Sequence, residues 1–71
     1  MTSLRNRLPF MLFDGPAYSL NLARRAGVPI RDIMDALSAL TAEGVVTQQA
    51  DGWTLTDHGH RAVTNDLEVL T

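Results

Sequence analysis

Residues 19–46 read SLNLARRAGVPIRDIMDALSALTAEGVV, and the spacing of their apolar side chains predicts two helices joined by a tight turn. The first helix is expected to begin at Ser19, a good N-cap residue, and to end at Gly27. Glycine is favoured there because a helix C-terminus commonly needs left-handed backbone. Pro29 suits the start of the second helix, where its missing N–H has no helical partner. This segment predicts a helix pair over residues 19–43.

Small and apolar residues occupy the positions where two such helices touch. Ala23 stands where only a small side chain lets the helices approach, and Val28 fills the turn. In the second helix an inward stripe follows the period of an α-helix. The residues assigned to the buried side of the pair are Leu22, Ala23, Ala26, Val28, Ile30, Ile33, Ala36, Leu37 and Leu40.

The flanking segments complete a mainly α fold with a small β-hairpin, of the α+β class. Another helix is expected before this pair, over about residues 4–13, and it is either kinked at Pro9 or begins near it. Residues 45–56 predict a hairpin, with Asp51-Gly52 as its turn. A C-terminal helix is expected over about 57–70.

The expected order is therefore helix, helix, helix, strand, strand, helix, in a single domain spanning residues 1–71. Val63, Leu67 and Leu70 are expected to line the inner side of the last helix. Trp53 is assigned to the core under the hairpin, and Tyr18 to a site between helices with its hydroxyl at the surface.

Composition limits the function classes. The 71 residues suffice for one small domain with a thin core, and they contain no cysteine for disulfides or thiolate chemistry. The lack of cysteine fits a cytoplasmic protein, and no apolar run approaches the roughly 18 residues of a membrane span. The net charge is −2, and all six basic residues are arginines. This acidic balance argues against DNA binding, because DNA-binding domains are usually basic.

Three segments carry a family resemblance: LPFMLFDGPAYSLNLARRAG, ALSALTAEGVV and GWTLTDHGHRAV. They resemble the winged helix-turn-helix regulators of bacteria and archaea, the PadR and MarR groups above all, over residues 8–63. The resemblance implies a winged-helix fold, usually a dimer, that contacts an operator through two elements. These are helix 3, which is the second helix of the pair described above, and the hairpin, which is called the wing. The sequence departs from the PadR pattern on helix 3, where Met34 stands near an aromatic position and Ser38 and Ala39 replace basic residues.

Candidate contact residues lie on the helix pair and the wing. Arg31 is placed to contact guanine or phosphate, whereas Asp32 and Asp35 would accept from cytosine or stabilise the positive end of the helix dipole. Arg24 and Arg25 suit phosphate. The residues assigned to contact DNA, or a protein partner in its place, are Arg24, Arg25, Pro29, Arg31, Asp32, Met34, Asp35, Ser38, Gln48 and Gln49.

Catalysis and metal binding find little support in the sequence. His58 and His60 are two residues apart at a helix start, do not share a face, and have no third ligand. No nucleophile–base arrangement or phosphate-binding glycine loop is present. The expectation is therefore a protein without cofactor, metal or enzymatic activity.

Two functions remain open. The first is a homodimeric transcriptional regulator that binds double-stranded DNA. The second is an acidic winged-helix module for protein contact, such as a phage-encoded inhibitor of the anti-CRISPR kind. Such a module would bind a basic or nucleic-acid-binding surface of its partner. If DNA is the ligand, Arg31→Ala and Arg24→Ala should weaken binding; if a basic protein is, Asp32→Ala and Asp35→Ala should.

Overall fold

A computed structural model of the chain describes the backbone of residues 4–70 and the side chains of residues 4–67. The order of elements confirms the predicted fold class: four helices and one two-stranded antiparallel hairpin. The elements are α1 (Leu4–Met11), α2 (Ser19–Ala26), α3 (Ile30–Ala42), β1 (Val46–Gln49), β2 (Gly52–Leu55) and α4 (Asp57–Leu70).

Helix α3 lies at the centre of the core, where it contacts α1, α2 and β1. Its Ile33 and Leu37 are fully buried against leucines of the two preceding helices, and each such side chain contributes about 1.5–3 kcal/mol of burial free energy. The side chains with under 2 % exposure are Leu8, Leu12, Leu22, Ile33, Leu37, Val46 and Val63. The core therefore fixes which side of α3 faces outward.

Helix α1 runs through Pro9 and ends at Met11, two residues before the expected end. Pro9 lies close to the C-terminus of the helix, so its missing N–H removes only one hydrogen bond near the end of the ladder. The backbone then tightens into a turn, in which Phe13 N–H donates to the Phe10 carbonyl at 3.2 Å and Gly15 N–H to that of Leu12 at 3.2 Å.

The turn between α2 and α3 has the predicted glycine geometry. Gly27 has a φ of 70°, and its N–H donates to the Ala23 carbonyl at 2.9 Å. The N-cap prediction for Ser19 is wrong. Leu22 N–H donates to the carbonyl of Tyr18 at 3.0 Å, so the ladder starts one residue earlier and Ser19 is already inside the helix.

Three residues predicted to be inward lie at the surface. Ile30 is 46 % exposed, Tyr18 57 % and Leu67 41 %. Each lies near one end of a helix or of the chain, where no neighbouring element covers it. The third α4 position, Leu70, lies outside the described side chains, whereas Val63 is buried as expected.

The hairpin pairs Val46 with Leu55 and Gln49 with Gly52, so the two-residue loop is Ala50–Asp51 and not Asp51-Gly52. Gly52 belongs to β2, and its φ is 116°. A Cβ there would lie 2.7 Å from the Ala17 carbonyl oxygen.

Ala17 forms an isolated antiparallel bridge beside the hairpin. It exchanges two backbone hydrogen bonds with Trp53, at 3.0 and 2.8 Å. Trp53 is half-buried and packs against the core, as predicted. This bridge ties the hairpin to the chain just before α2.

Thr56 joins the hairpin to α4. Its hydroxyl accepts from Gly59 N–H at 3.0 Å and donates to the carbonyl of Gly44, so it caps the helix and holds the chain before β1. Its own N–H donates to the Val45 carbonyl at 3.0 Å. A Cβ on Gly59 would overlap that same Val45 carbonyl oxygen. The first turn of α4 therefore rests directly on backbone.

Candidate nucleic-acid interface

The outer face of α3 is exposed over most of its 13 residues. Arg31 and Ser38 lie opposite the buried stripe, since Arg31 stands two residues before Ile33 and Ser38 two residues after Ala36 in a helix of 3.6 residues per turn. Ile30 and Met34 are one turn apart and share one edge of this face. Both are large apolar side chains, 46 % and 42 % exposed.

Asp32 and Asp35 occupy the opposite edge of α3. They line a groove of about 410 Å³ together with Leu4 and Arg5 of α1, Val28 of the turn and Ala36. Because α1 forms the other wall, this acidic edge faces α1. The two carboxylates are thus displaced to one side of Arg31, and Ile30 and Met34 lie on the other.

A second concave surface brings the α2 arginines to the tip of the hairpin. It has a volume of about 450 Å³, and both arginines in it are exposed. Its lining residues are Pro16, Ala17, Tyr18, Asn21, Arg24, Arg25 and Asp51. We call this surface the α2–wing notch.

Tyr18 and Asn21 were missed as candidate contacts in the sequence. Both are exposed and line the notch with Arg25. Their spacing to Arg25, seven residues for Tyr18 and four for Asn21, is that of one helix face and would have indicated the grouping. A hydroxyl, an amide and guanidinium groups are the donors that anion recognition uses.

The remaining candidate residues lie on the wing and at the start of α3. Gln48 pairs with Trp53 and Gln49 with Gly52 in the strand register, and both glutamines are exposed. Pro29 is the N-cap residue of α3 and is exposed beside Arg31.

Among residues 4–67 the structure has one ion pair, between Arg5 and Glu43 at 2.6 Å. Both side chains are about half exposed, so this pair contributes little to stability. It does engage Arg5, which leaves the acidic edge of α3 with a net negative charge. Arg24, Arg25 and Arg31 form no ion pair within the same part of the chain.

Within the described residues there is no group of three or more histidine, aspartate or glutamate side chains placed to hold a metal ion. Over the same residues, no helix has the length and apolar character that crossing a bilayer requires.

Comparisons with known proteins show the fold. No family model matches the chain, and a search of the curated proteins finds no match. Among solved structures, the chain is similar to the quinone-bound YodB from B. subtilis, with a TM-score of 0.80 at 19 % sequence identity. The alignment covers 97 % of this chain and 82 % of that one. The chain has a winged-helix fold. In these terms α2 and α3 are the helix-turn-helix and the β1–β2 hairpin is the wing.

Proposed function

We propose that this winged-helix chain binds double-stranded DNA as a transcriptional regulator, with α3 in the major groove and the wing along the backbone. One observation carries the proposal: the outer face of α3 is exposed, with Arg31 on it near the N-terminal end and both aspartates lining the groove with α1. A major groove admits one α-helix, and an arginine on the exposed face of that helix can donate to base edges or to phosphates there.

The residue roles follow from position and chemistry. Arg31 would donate to guanine O6 and N7 or to a phosphate, and Ser38 and Met34 would face neighbouring bases. Asp35 would lie beside these contacts, where its carboxylate repels nearby phosphates. Gln48 and Gln49 of the wing would donate to phosphate or to adenine. Pro29 and Asp32, at the start of α3, would lie closest to the groove edge.

The α2–wing notch supplies the backbone contacts in this proposal. Arg24 and Arg25, with Tyr18 and Asn21, would hold phosphate oxygens, which position the protein without carrying sequence information. Counting Arg24, Arg25 and Arg31, about three phosphates would be neutralised per protomer. At about −0.9 per contact, the log–log salt slope would be near −3 for a monomer and −5 for a dimer.

Single substitutions test how much these charged side chains contribute to DNA binding. Arg24→Ala and Arg31→Ala should each weaken binding to duplex DNA and reduce the salt slope by about one per protomer, because each loses one phosphate or base contact. Asp35→Ala should keep or strengthen binding, since it removes a negative charge beside the groove. Fluorescence anisotropy of a labelled random duplex pool, titrated from low to physiological salt, measures all three.

Arg61→Ala is the matched control, because Arg61 lies on α4, away from the notch and α3, and its loss changes the net charge equally. An equal effect of all the arginine variants would mean that net charge alone acts. No binding of the random pool or of any selected duplex, even at low salt, would overturn the proposal.

We also propose that the protein acts as a cytoplasmic homodimer, which doubles a small number of basic contacts. Phe10 of α1 lines a groove with Ala62 and Asp66 of α4, and it is 37 % exposed. Leu67 follows one residue later on α4 and is exposed too. An apolar surface at the two terminal helices suits contact with a second copy.

Leu67→Asp should therefore raise the dimer dissociation constant at least tenfold, because it places a charge in an apolar contact. Analytical ultracentrifugation across a concentration series measures this. Leu20→Asp is the control, since Leu20 is equally large and exposed but lies on α2. A monomer at every concentration for the unaltered protein would contradict the dimer.

The groove between α1 and α3 supports a second candidate function, binding of a protein with a basic surface. Its walls combine apolar Leu4, Val28 and Ala36 with the carboxylates of Asp32 and Asp35. This chemistry suits an arginine- or lysine-bearing segment, as an inhibitor of the anti-CRISPR kind would meet on a nucleic-acid-binding protein. If this is the function, Asp32→Ala and Asp35→Ala abolish capture of the partner, whereas Arg31→Ala does not.

A further inference from the structure

The apolar edge of α3 is a feature that packing among the described residues does not explain. Ile30 and Met34 are 46 % and 42 % exposed, although Ile33 and Leu37 on the same helix are completely buried. They are one helical turn apart and therefore form one continuous strip on the surface. Arg31 lies beside this strip, on the outermost line of the helix.

We propose that Ile30 and Met34 contact the C5-methyl groups of thymines and thereby set the sequence preference of the protein. This inference rests on the proposed DNA binding and deepens it. Among the groups that base pairs expose in the major groove, the C5-methyl of thymine is the apolar one. Apolar side chains are its recurring partners. With Arg31 on the adjacent line, the favoured site places thymines next to a guanine.

The arrangement of α3 favours DNA as the occupant of this strip. Ile30 and Met34 lie on the side of Arg31 away from the α1 groove, which Asp32 and Asp35 line, although Asp32 also borders Ile30 and Arg31 at the start of α3. On the other side of the helix pair, the notch presents Arg24 and Arg25 to the backbone. A hydrophobic contribution also suits a chain with few basic residues, because salt does not screen it.

The test uses deoxyuridine, which differs from thymidine by the methyl group alone. The best-binding duplex is selected from a randomised pool, and each thymine is then replaced singly by deoxyuridine. At one or two adjacent positions next to a guanine, affinity should fall about fourfold, the effect of one buried methyl group. Elsewhere in the duplex the replacement should change nothing.

Variants assign that effect to the strip. The double variant Ile30→Ala/Met34→Ala should bind the thymine and uracil duplexes equally, since the apolar partner is gone. Leu20→Ala is the matched control, because Leu20 is a large exposed apolar side chain like Ile30 and Met34 but lies on α2, outside the notch and the dimer surface. It should keep the full fourfold difference. Circular dichroism checks that each variant retains its helices.

The outcomes separate the two proposals. A duplex that binds tightly but tolerates uracil at every position overturns the thymine inference and leaves DNA binding in place. A uracil effect that persists in the double variant also overturns the inference, because other residues then contact the methyl groups. Failure to select any duplex overturns the DNA proposal itself, and the strip would then belong to a protein contact.

Discussion

Replacing Gly59 with alanine is expected to lower the free energy of unfolding by about 3 kcal/mol, the upper end of the usual cost of overpacking. The added Cβ would overlap the Val45 carbonyl oxygen, which is backbone and already accepts from Thr56 N–H. Backbone hydrogen bonds hold both the first turn of α4 and the chain just before β1, so neither segment can shift easily to make room for the added atom. For a chain of this length the total is about 4–10 kcal/mol, so a large fraction of it would be lost.

The sign of this effect is diagnostic. In an open helical site, glycine to alanine stabilises by about 1 kcal/mol, because alanine has the higher helix propensity. Asn65→Ala, at an exposed position of α4, is the control and should be neutral or slightly stabilising. Urea denaturation followed by circular dichroism measures both. A stabilised Gly59→Ala variant would mean that α4 does not rest on Val45.

Leu37→Ala is expected to lower the free energy of unfolding by about 2–5 kcal/mol, the range for a buried leucine that leaves a cavity. Leu37 is completely buried on α3, the helix that contacts α1, α2 and β1. A void there removes packing shared by the whole core. The same urea titration measures the loss, and the midpoint should shift without a large change in slope.

Two controls bracket this result. Leu37→Met keeps most of the volume and should cost less than about 1.5 kcal/mol. Leu20→Ala removes the same atoms from an exposed site on α2 and should stay within about 0.5 kcal/mol. A cost for Leu37→Ala no larger than that for Leu20→Ala would contradict the central position of α3.

The acidic net charge does not by itself decide between the two proposed functions, because charge is distributed unevenly around α3. Its carboxylates line the groove with α1, and Arg5 is paired with Glu43. The arginines of the notch lie on another surface, whereas Arg31 shares its surface with Asp32. A protein of net charge −2 thus has locally basic surface, and local charge governs contact within a Debye length of about 8 Å.

The sequence by itself determined the order of elements and the glycine turn between α2 and α3. Local patterns suffice for these features. Gly27 needs left-handed backbone and therefore marks the turn. The apolar spacing of Ile33, Leu37 and Leu40 allows their burial along only one side of a helix. Local rules failed at element ends. There Tyr18 displaced Ser19 as the N-cap, since ladder hydrogen bonds and not side-chain preference fix the first residue.

Only the tertiary structure decided which element covers each face. Helical periodicity places Asp32 with Asp35 and Ile30 with Met34. It does not predict that α1 packs beside the two aspartates, or that no described residue covers Ile30 and Met34. It also left unexplained why Gly59 must lack a side chain. Burial depends on contacts between residues that are far apart in the chain. A local sequence pattern does not say which distant residues will meet.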